Sequence, residues 1–519
     1  MRRASQVFFF GLFVYILWST TYPLTGSISP EWIFKLDPLV MIFTAIAERV
    51  LLAGLIFAGG MLVLTWVLGR FFCGWVCPLG AVIDAVGAVR GARNGLSDRA
   101  NRWFRRPKLV FLLLIAVLAA AGIQAAWFLD PIVVAARFVS MNLIPTSTLL
   151  ADRFFVFTVQ KFNLYDSGFY DLYRTMKSDF LGVKVAYFKN ALPILGFFVA
   201  ATLPALFVSR FWCRAICPLG ALYGQVARGS LLRRQTEDCK SCGVCRSACR
   251  MGAIREDFLT VPGECILCMD CVYDCRAAKT RFGWGGGAKP DVPASSQGAG
   301  ERSGGITRKE FLWVTLAAGL FSGFRGRHGG GGAGKHAGAK HDGSCRNLPL
   351  RPPGVADEGE FVDRCIRCGN CMKVCVTNGL QPVMFEEGWE AMWTPKLVPE
   401  IGCCEYQCNL CSQVCPTGAI PKMDLETKKK ARLGIAEIDQ KLCVAYSENK
   451  TCIVCEEHCP ISEKAIKFDE VFVDGKRILK PWIDEDLCVG CGICQHVCPV
   501  TQPSRAVRVF ARKRHLPAK

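Results

Sequence analysis

Between Cys239 and Cys275 the chain carries one cysteine spacing twice, and that spacing restricts its fold more than any other feature. Cys239, Cys242, Cys245 and Cys249 form C-x2-C-x2-C-x3-C, and Cys265, Cys268, Cys271 and Cys275 repeat it. Three thiolates on one tight loop, with a fourth from a neighbouring segment, supply the four soft ligands of a cubane iron–sulfur cluster. Where two such runs stand in tandem, the fourth cysteine of each ligates the other cluster. Cys249 is therefore expected to serve the second cluster and Cys275 the first. A zinc ribbon would need two separated C-x2-C pairs instead of a tight run of four.

Four more runs follow in the last third of the chain. Cys365, Cys368, Cys371 and Cys375 keep the same spacing without the usual proline after the last. Cys404, Cys408, Cys411 and Cys415 precede Pro416, with Cys403 as the rival first ligand. Cys404 is preferred because it departs less from the regular spacing. Cys443 is set back by an eight-residue loop from Cys452, Cys455 and Cys459, and Cys488, Cys491, Cys494 and Cys498 are regular throughout. Six 4Fe-4S clusters follow, with 24 cysteine ligands in all. Gly369, Gly490 and Gly492 suit close approach of backbone to inorganic sulfur. His458 and His496 adjoin sets already complete in cysteine and are not read as ligands.

A disulfide framework does not explain 30 cysteines in 519 residues, since that reading belongs to short secreted chains. The formal charge of +19 fits the basic cytoplasmic loops of a membrane protein. No helix-turn-helix or aromatic RNA-binding motif accompanies it, so nucleic acid is not expected as a partner. No Gly-rich dinucleotide fingerprint stands after a strand, so NAD or flavin is not expected either.

Apolar residues concentrate before residue 210. Four uncharged stretches, Gln6–Leu24, Val50–Gly69, Leu109–Leu129 and Asn190–Ser209, are about the 20 residues a bilayer crossing takes. The connection from Arg70 to Lys108 carries eight basic residues against Asp84 and Asp98, which places it in the cytoplasm. This half also repeats itself. Arg70-Phe71-Phe72-Cys73-Gly74-Trp75-Val76-Cys77-Pro78-Leu79-Gly80-Ala81 recurs as Arg210-Phe211-Trp212-Cys213-Arg214-Ala215-Ile216-Cys217-Pro218-Leu219-Gly220-Ala221. Leu36-Asp37-Pro38-Leu39 recurs, at the opposite ends of the spans, as Leu129-Asp130-Pro131-Ile132. The expectation is an α-helical membrane domain of four spans with a pseudo-twofold repeat.

Cysteines at i and i+4 share a face if their segment is helical, and the proline after each pair marks a boundary. Brought together by the repeat, Cys73, Cys77, Cys213 and Cys217 fit either an extra cluster or redox-active dithiols; packing as small apolar side chains is the bland alternative. Asp37, Glu48 and Asp130 are ionisable groups at predicted ends of spans, where interfacial anchoring is the ordinary role and handling protons the functional one.

The paired C-x3-C-P motifs, the four spans and the two-cluster stretch that follows resemble the membrane quinol-dehydrogenase subunit of periplasmic nitrate reductase systems, the NapH type, over residues 1 to about 280. Membrane polyferredoxins linked to nitrous oxide reduction and cytochrome oxidase assembly look similar. From about Arg351 to Phe510 the motif order resembles the four-cluster NapG/MauM-type ferredoxins, so the chain reads as a fusion of the two. The resemblance implies a quinol dehydrogenase of the bacterial inner membrane, and since quinol oxidation must dispose of protons, Asp37, Glu48 and Asp130 become candidates for its quinol or proton site. It would relay electrons from the quinone pool through α+β ferredoxin-like domains to a cytochrome or reductase acceptor. A redox assembly, maturation or regulatory factor for a metalloenzyme is the alternative.

The expected organisation is a four-helix membrane domain over 1–235, a cytoplasmic two-cluster domain over 236–282, a Gly-rich linker over 283–350 and a four-cluster domain over 351–519. Within the linker, Thr307-Arg308-Lys309-Glu310-Phe311-Leu312 and the apolar run to Phe324 resemble a twin-arginine export signal, with Lys309 in place of the second arginine. Export would put the four-cluster domain in the periplasm. His328, His336 and His341 are read as part of a solvated spacer, and Cys345 is given no role.

Overall fold

A computed structural model describes residues 1–511 apart from 22–23, 25–28, 92–96, 166, 179–185, 237–238, 240–241, 276–277, 286–313, 315–347 and 474. The twin-arginine-like stretch Thr307–Leu312, the linker histidines and Cys345 lie outside the described residues. The chain forms two compact units that do not follow chain order. One comprises Met1–Ile16, Glu31–Phe138 and Leu195–Gly331, and the other Leu17–Pro30, Val139–Ile194 and Gly332–Lys519.

The first unit is mainly helical, and its sequence repeat is a structural repeat. A helix beginning Asp-Pro occurs twice, as Pro38–Glu48 and Pro131–Phe138, with the Asp37 and Asp130 carboxylates each accepting two backbone N–H groups of the first turn. This is ordinary N-capping, with proline at the first helical position, where its missing N–H costs nothing. One-turn helices Phe71–Trp75 and Phe211–Ala215 carry the first cysteine of each C-x3-C-P motif. Helices Pro78–Arg90 and Pro218–Val226 follow, with Cys77 and Cys217 as their N-caps. The two cysteines of a motif therefore do not share one continuous helix. The proline is the boundary expected, and it opens a helix.

The helices of the first half, Arg2–Trp18, Leu55–Leu68, Asp98–Ala120 and Ala191–Leu206, each cover only part of the apolar stretch they overlap. Among the described residues one helix, Pro131–Phe162, is long and apolar enough to cross a membrane by length and composition. It continues through a π-turn, Val139–Leu143, into Ile144–Phe162. A search for uncharged stretches passes over it, because Arg137, Asp152, Arg153 and Lys161 interrupt it. Two of these charges are accommodated locally: Arg137 is buried over the Trp127 ring and donates to the Trp127 carbonyl, and Asp152 pairs with Lys177.

The two-cluster stretch is clasped at its ends by an antiparallel pair, Leu232–Thr236 with Thr280–Trp284. In the second unit, among the described residues, the cysteine-rich stretch from Arg351 onward has three small antiparallel pairs: Leu380–Pro382 with Pro395–Leu397, Ile435–Ile438 with Val507–Phe510, and the hairpin Ile466–Val473 with Lys476–Ile483. The cores between these ribbons are small and sulfur-rich. One joins Val355, Phe361, Val362, Ala419 and Ile420 to Cys365, Cys371, Cys411 and Cys415. So little apolar area stabilises a fold weakly by itself, as is usual where bound metal contributes to folding.

Candidate metal centres and a four-cysteine cavity

The cluster loops have a recurring backbone. Leu267 and Met269, Arg367 and Gly369, and Gly490 and Gly492 all have positive φ, two and four residues after the first cysteine of their runs. A left-handed residue on each side of the second cysteine wraps the chain into a concave loop. The fourth cysteine comes from the paired run every time. Cys249 joins Cys265, Cys268 and Cys271 around one cavity; Cys415 joins Cys365, Cys368 and Cys371; Cys375 joins Cys404, Cys408 and Cys411. Cys275 lies with Cys239, Cys242 and Cys245. Cys498 lies by Cys443 and Cys452, and Cys459 by Cys488. The exchange anticipated for the first pair of runs thus extends to all three pairs, and Cys404, not Cys403, lines its cavity.

These sets suit a cubane. Among the described residues no three His, Cys, Asp or Glu side chains converge on the point that a single ion would occupy. The thiols ring wider cavities, and in a cubane each thiolate binds a different iron. Backbone N–H groups of Ala253 and Ile420 point at Cys249 and Cys415 Sγ, at 3.2 and 3.4 Å. Burial pushes the Cys265 and Cys404 thiols up to about 11 and those of Cys271 and Cys455 to about 12; bound iron would deprotonate them. His458 and His496 turn Nδ1 to the carbonyls of Val454 and Pro399, each at 2.9 Å.

Cys73, Cys77, Cys213 and Cys217 meet in a separate buried cavity, with Arg70, Pro131 and Gly220 among its other walls. Gly80 N–H donates to Cys77 Sγ at 3.4 Å and Gly220 N–H to Cys217 Sγ at 3.2 Å, so the repeat is also seen in the hydrogen bonds. Two buried arginines attend the sulfurs. Arg210 chelates Asp84 at 2.7 and 2.9 Å and donates to the Cys73 carbonyl at 2.7 Å. Arg70 gives Nη1 to the Gly263 carbonyl and to Glu264, and its guanidinium also lies against Cys73. A buried cation beside four thiols suits an anionic occupant or a thiolate.

The cavity is wired to the two-cluster stretch by direct contact. Gly74, between Cys73 and Cys77, leaves no room for a side chain: a Cβ there would stand 2.2 Å from the Ile266 carbonyl oxygen. Trp75 Nε1 donates to the Leu267 carbonyl at 2.9 Å, and Lys108 and Arg70 both pair with Glu264, at 2.6 and 3.2 Å. Burial alone would raise the Glu264 pKa, but the charges of Lys108, Arg70 and Arg105 outweigh it and hold it at about 2.

A family profile described as a 4Fe-4S dicluster domain matches residues 450–501, and one described as a 4Fe-4S binding domain matches 50–106 and 190–236. The ferredoxin-type protein MauM of Methylorubrum extorquens is 35% identical over 168 residues, 73% of its length and 32% of this chain. The ferredoxin-type protein NapG of Escherichia coli K12 is 34% identical over 160 residues, 68% of its length and 30% of this chain. The chain belongs to the MauM/NapG family of ferredoxin-type proteins. It is an iron–sulfur electron-transfer protein with 4Fe-4S domains. YccM of the same E. coli strain, described as an electron transport protein, is 26% identical over 238 residues, 44% of this chain and 55% of its own length. No solved structure matches the chain.

In this MauM/NapG-family chain the binding-domain profile falls on the C-x3-C-P motifs and stops short of Cys239. The remaining candidates divide. Asp37 and Asp130, expected at the far ends of the spans from the cysteines, come to the cysteine cavity instead: Pro131 lines it. The two carboxyls are wholly buried within reach of one another, each with Oδ2 lacking any donor. Tyr223, its hydroxyl buried and unpartnered, lies near both carboxyls and near Cys73 and Cys77. Glu48 does not join them, since it ends the helix that Asp37 begins, about 16 Å away. Sequence reasoning overlooked Arg70, Arg210, Gly74 and Tyr223; the first three sit inside the repeated motif, which was the available signal.

Proposed function

We propose that the chain is a membrane-bound quinol dehydrogenase that relays electrons through six 4Fe-4S clusters to a reductase or cytochrome acceptor. The observation carrying this reading is the buried four-cysteine cavity, with a facing carboxyl pair on one side and the Cys265 cluster loop packed on the other. Quinol gives up two electrons and two protons, so its oxidation needs acceptors for both, close together and shielded from water. Asp37 and Asp130 hold and pass the protons, and a proton shared between their donorless oxygens also satisfies two buried acceptors. Arg70 and Arg210 stabilise the negative charge that arrives on the sulfurs. The clusters supply one-electron carriers whose potentials the protein tunes through charge, burial and hydrogen bonds to sulfur.

The apolar helices of the first half embed it in the bacterial inner membrane. In the second unit, Lys373 Nζ donates to the Trp18 and Thr20 carbonyls at 2.7 and 2.6 Å, and Asn378 Nδ2 to the Tyr187 carbonyl at 2.8 Å. Trp18 and Thr20 stand at the end of the first predicted span away from the basic Arg2 and Arg3, and Tyr187 in the connection after the third, which supports a periplasmic four-cluster domain. The test is anaerobic purification with iron counting and EPR. We expect about 24 iron atoms per chain, or about 28 if the four-cysteine cavity holds a further cluster. Menaquinol or ubiquinol should reduce the clusters, and Cys73→Ser and Cys213→Ser should abolish quinol-driven but not dithionite reduction. Zinc in place of iron, or quinol-driven reduction unaffected by both substitutions, would overturn the reading.

A further inference from the structure

The four sets of the second unit do not lie in space as they lie in sequence. The Cys365 and Cys404 sets share a core, where Val374, Leu410 and Val414 pack with Cys371 and Cys408. The next neighbour of the Cys404 set is the last run of the chain. Cys404 N–H donates to the Cys491 carbonyl at 2.8 Å. Gln495 Nε2 bonds Glu400 at 2.7 Å, His496 bonds the Pro399 carbonyl, and a Cβ on Gly492 would stand 2.9 Å from Pro399 Cγ. The Cys443 set is reached from there: its helix Val454–Glu457 packs on Ile493–Val497, and Cys455 neighbours Cys494.

The two ends differ. At the Cys365 set, a Cβ on Gly369 would stand 2.8 Å from Met141 Cε, and Lys373 is tied to Trp18 and Thr20, so segments from the helical half cover that loop. At the Cys443 set, Tyr446 Oη donates to the Pro481 carbonyl of the 466–483 hairpin at 3.0 Å, while Ile453, between two ligands, stays 44% exposed.

We propose that electrons cross this half in the order Cys365 set, Cys404 set, Cys488 set, Cys443 set, so that the third run in sequence is the last station. Tunnelling rates fall steeply with distance, so each electron takes the neighbour in space. Each hop is a one-electron exchange, one cluster oxidised as the next is reduced, with no bond or proton moved. The Cys443 set then hands one electron at a time to a one-electron redox protein.

This rests on the cluster reading above, and the test separates the two. In the full chain reduced with dithionite, iron content first establishes that the clusters are present; its absence sinks the cluster reading. Cys494→Ala (Cys488 set) and Cys455→Ala (Cys443 set) should each lose about four irons. In the first variant the Cys443-set EPR signal becomes narrow and uncoupled. Its reduction by quinol falls at least tenfold, while dithionite still reduces it. In the second variant, coupling between the Cys404 and Cys488 sets persists and quinol still reduces both. The reverse pattern, with the Cys488 set isolated when the Cys443 set is lost, overturns the order. Should either variant fail to fold, pulsed EPR distances in the unaltered, partly reduced chain decide instead: the shortest separation between the two pairs of sets must join the Cys404 and Cys488 sets.

Discussion

Glu264→Gln removes the one carboxylate that Arg70 and Lys108 share, and its cost follows from the geometry. Arg70 is fully buried and Lys108 nearly so, and Glu264 lies within 3.2 Å of both. Glutamine keeps the shape and an acceptor oxygen but leaves two buried cations without an anion. Breaking a buried pair in this way costs about 3–5 kcal/mol. The pKa gives a second route: a fall from 4.5 to about 2 corresponds, at about 1.4 kcal/mol per pH unit, to about 3 kcal/mol. Because the folded pKa is depressed, this stability is fully present above the unfolded value. It is lost only as pH falls through the folded one. The variant should therefore melt about 6–12 °C below the parent at pH 7. The deficit should shrink as pH falls from about 5 towards about 2, where Glu264 takes up its proton. The assay is loss of cluster absorbance on heating the detergent-purified chains at one scan rate. A variant melting within about 2 °C of the parent at pH 7 would refute the reasoning.

Gly74→Ala forces the Ile266 carbonyl to retreat by about 1 Å, costs about 1–3 kcal/mol and opens the contact between the cysteine cavity and the Cys265 set. Quinol-driven appearance of the Cys265-set EPR signal should slow at least tenfold while dithionite reduction is unchanged, and Gly60→Ala, which meets nothing within 4 Å, should leave both unaltered. Asp37→Asn with Asp130→Asn keeps both helix caps, since asparagine caps as well as aspartate, but removes the place for a proton. Thermal stability should hold within about 1 kcal/mol, and quinol-driven reduction should fall at least tenfold; normal quinol turnover in the double variant would remove the pair from the mechanism.

Sequence spacing carried the ligand sets because a cluster loop is local. Seven residues, from the first cysteine to the third, with left-handed positions on either side of the second, make the concave loop, whatever surrounds it. Three such positions are glycine, at 369, 490 and 492, but Leu267, Met269 and Arg367 adopt the same conformation without that signature. Among the described residues the one helix long and apolar enough to cross a membrane, Pro131–Phe162, does not show as an uncharged run, because it carries charged residues that the fold accommodates.

The sequence by itself determined which cysteines form loops, that the first half repeats, and that a boundary falls at each Cys-Pro, because each depends on a few adjoining residues. Only the tertiary structure decided that Arg70 meets Glu264 across 194 positions, that Asp37 faces Asp130 beside the four cysteines, and that the last run lies between the Cys404 and Cys443 sets. Those pairings are fixed by which surfaces bury one another, and a spacing motif contains no information about its neighbour in space.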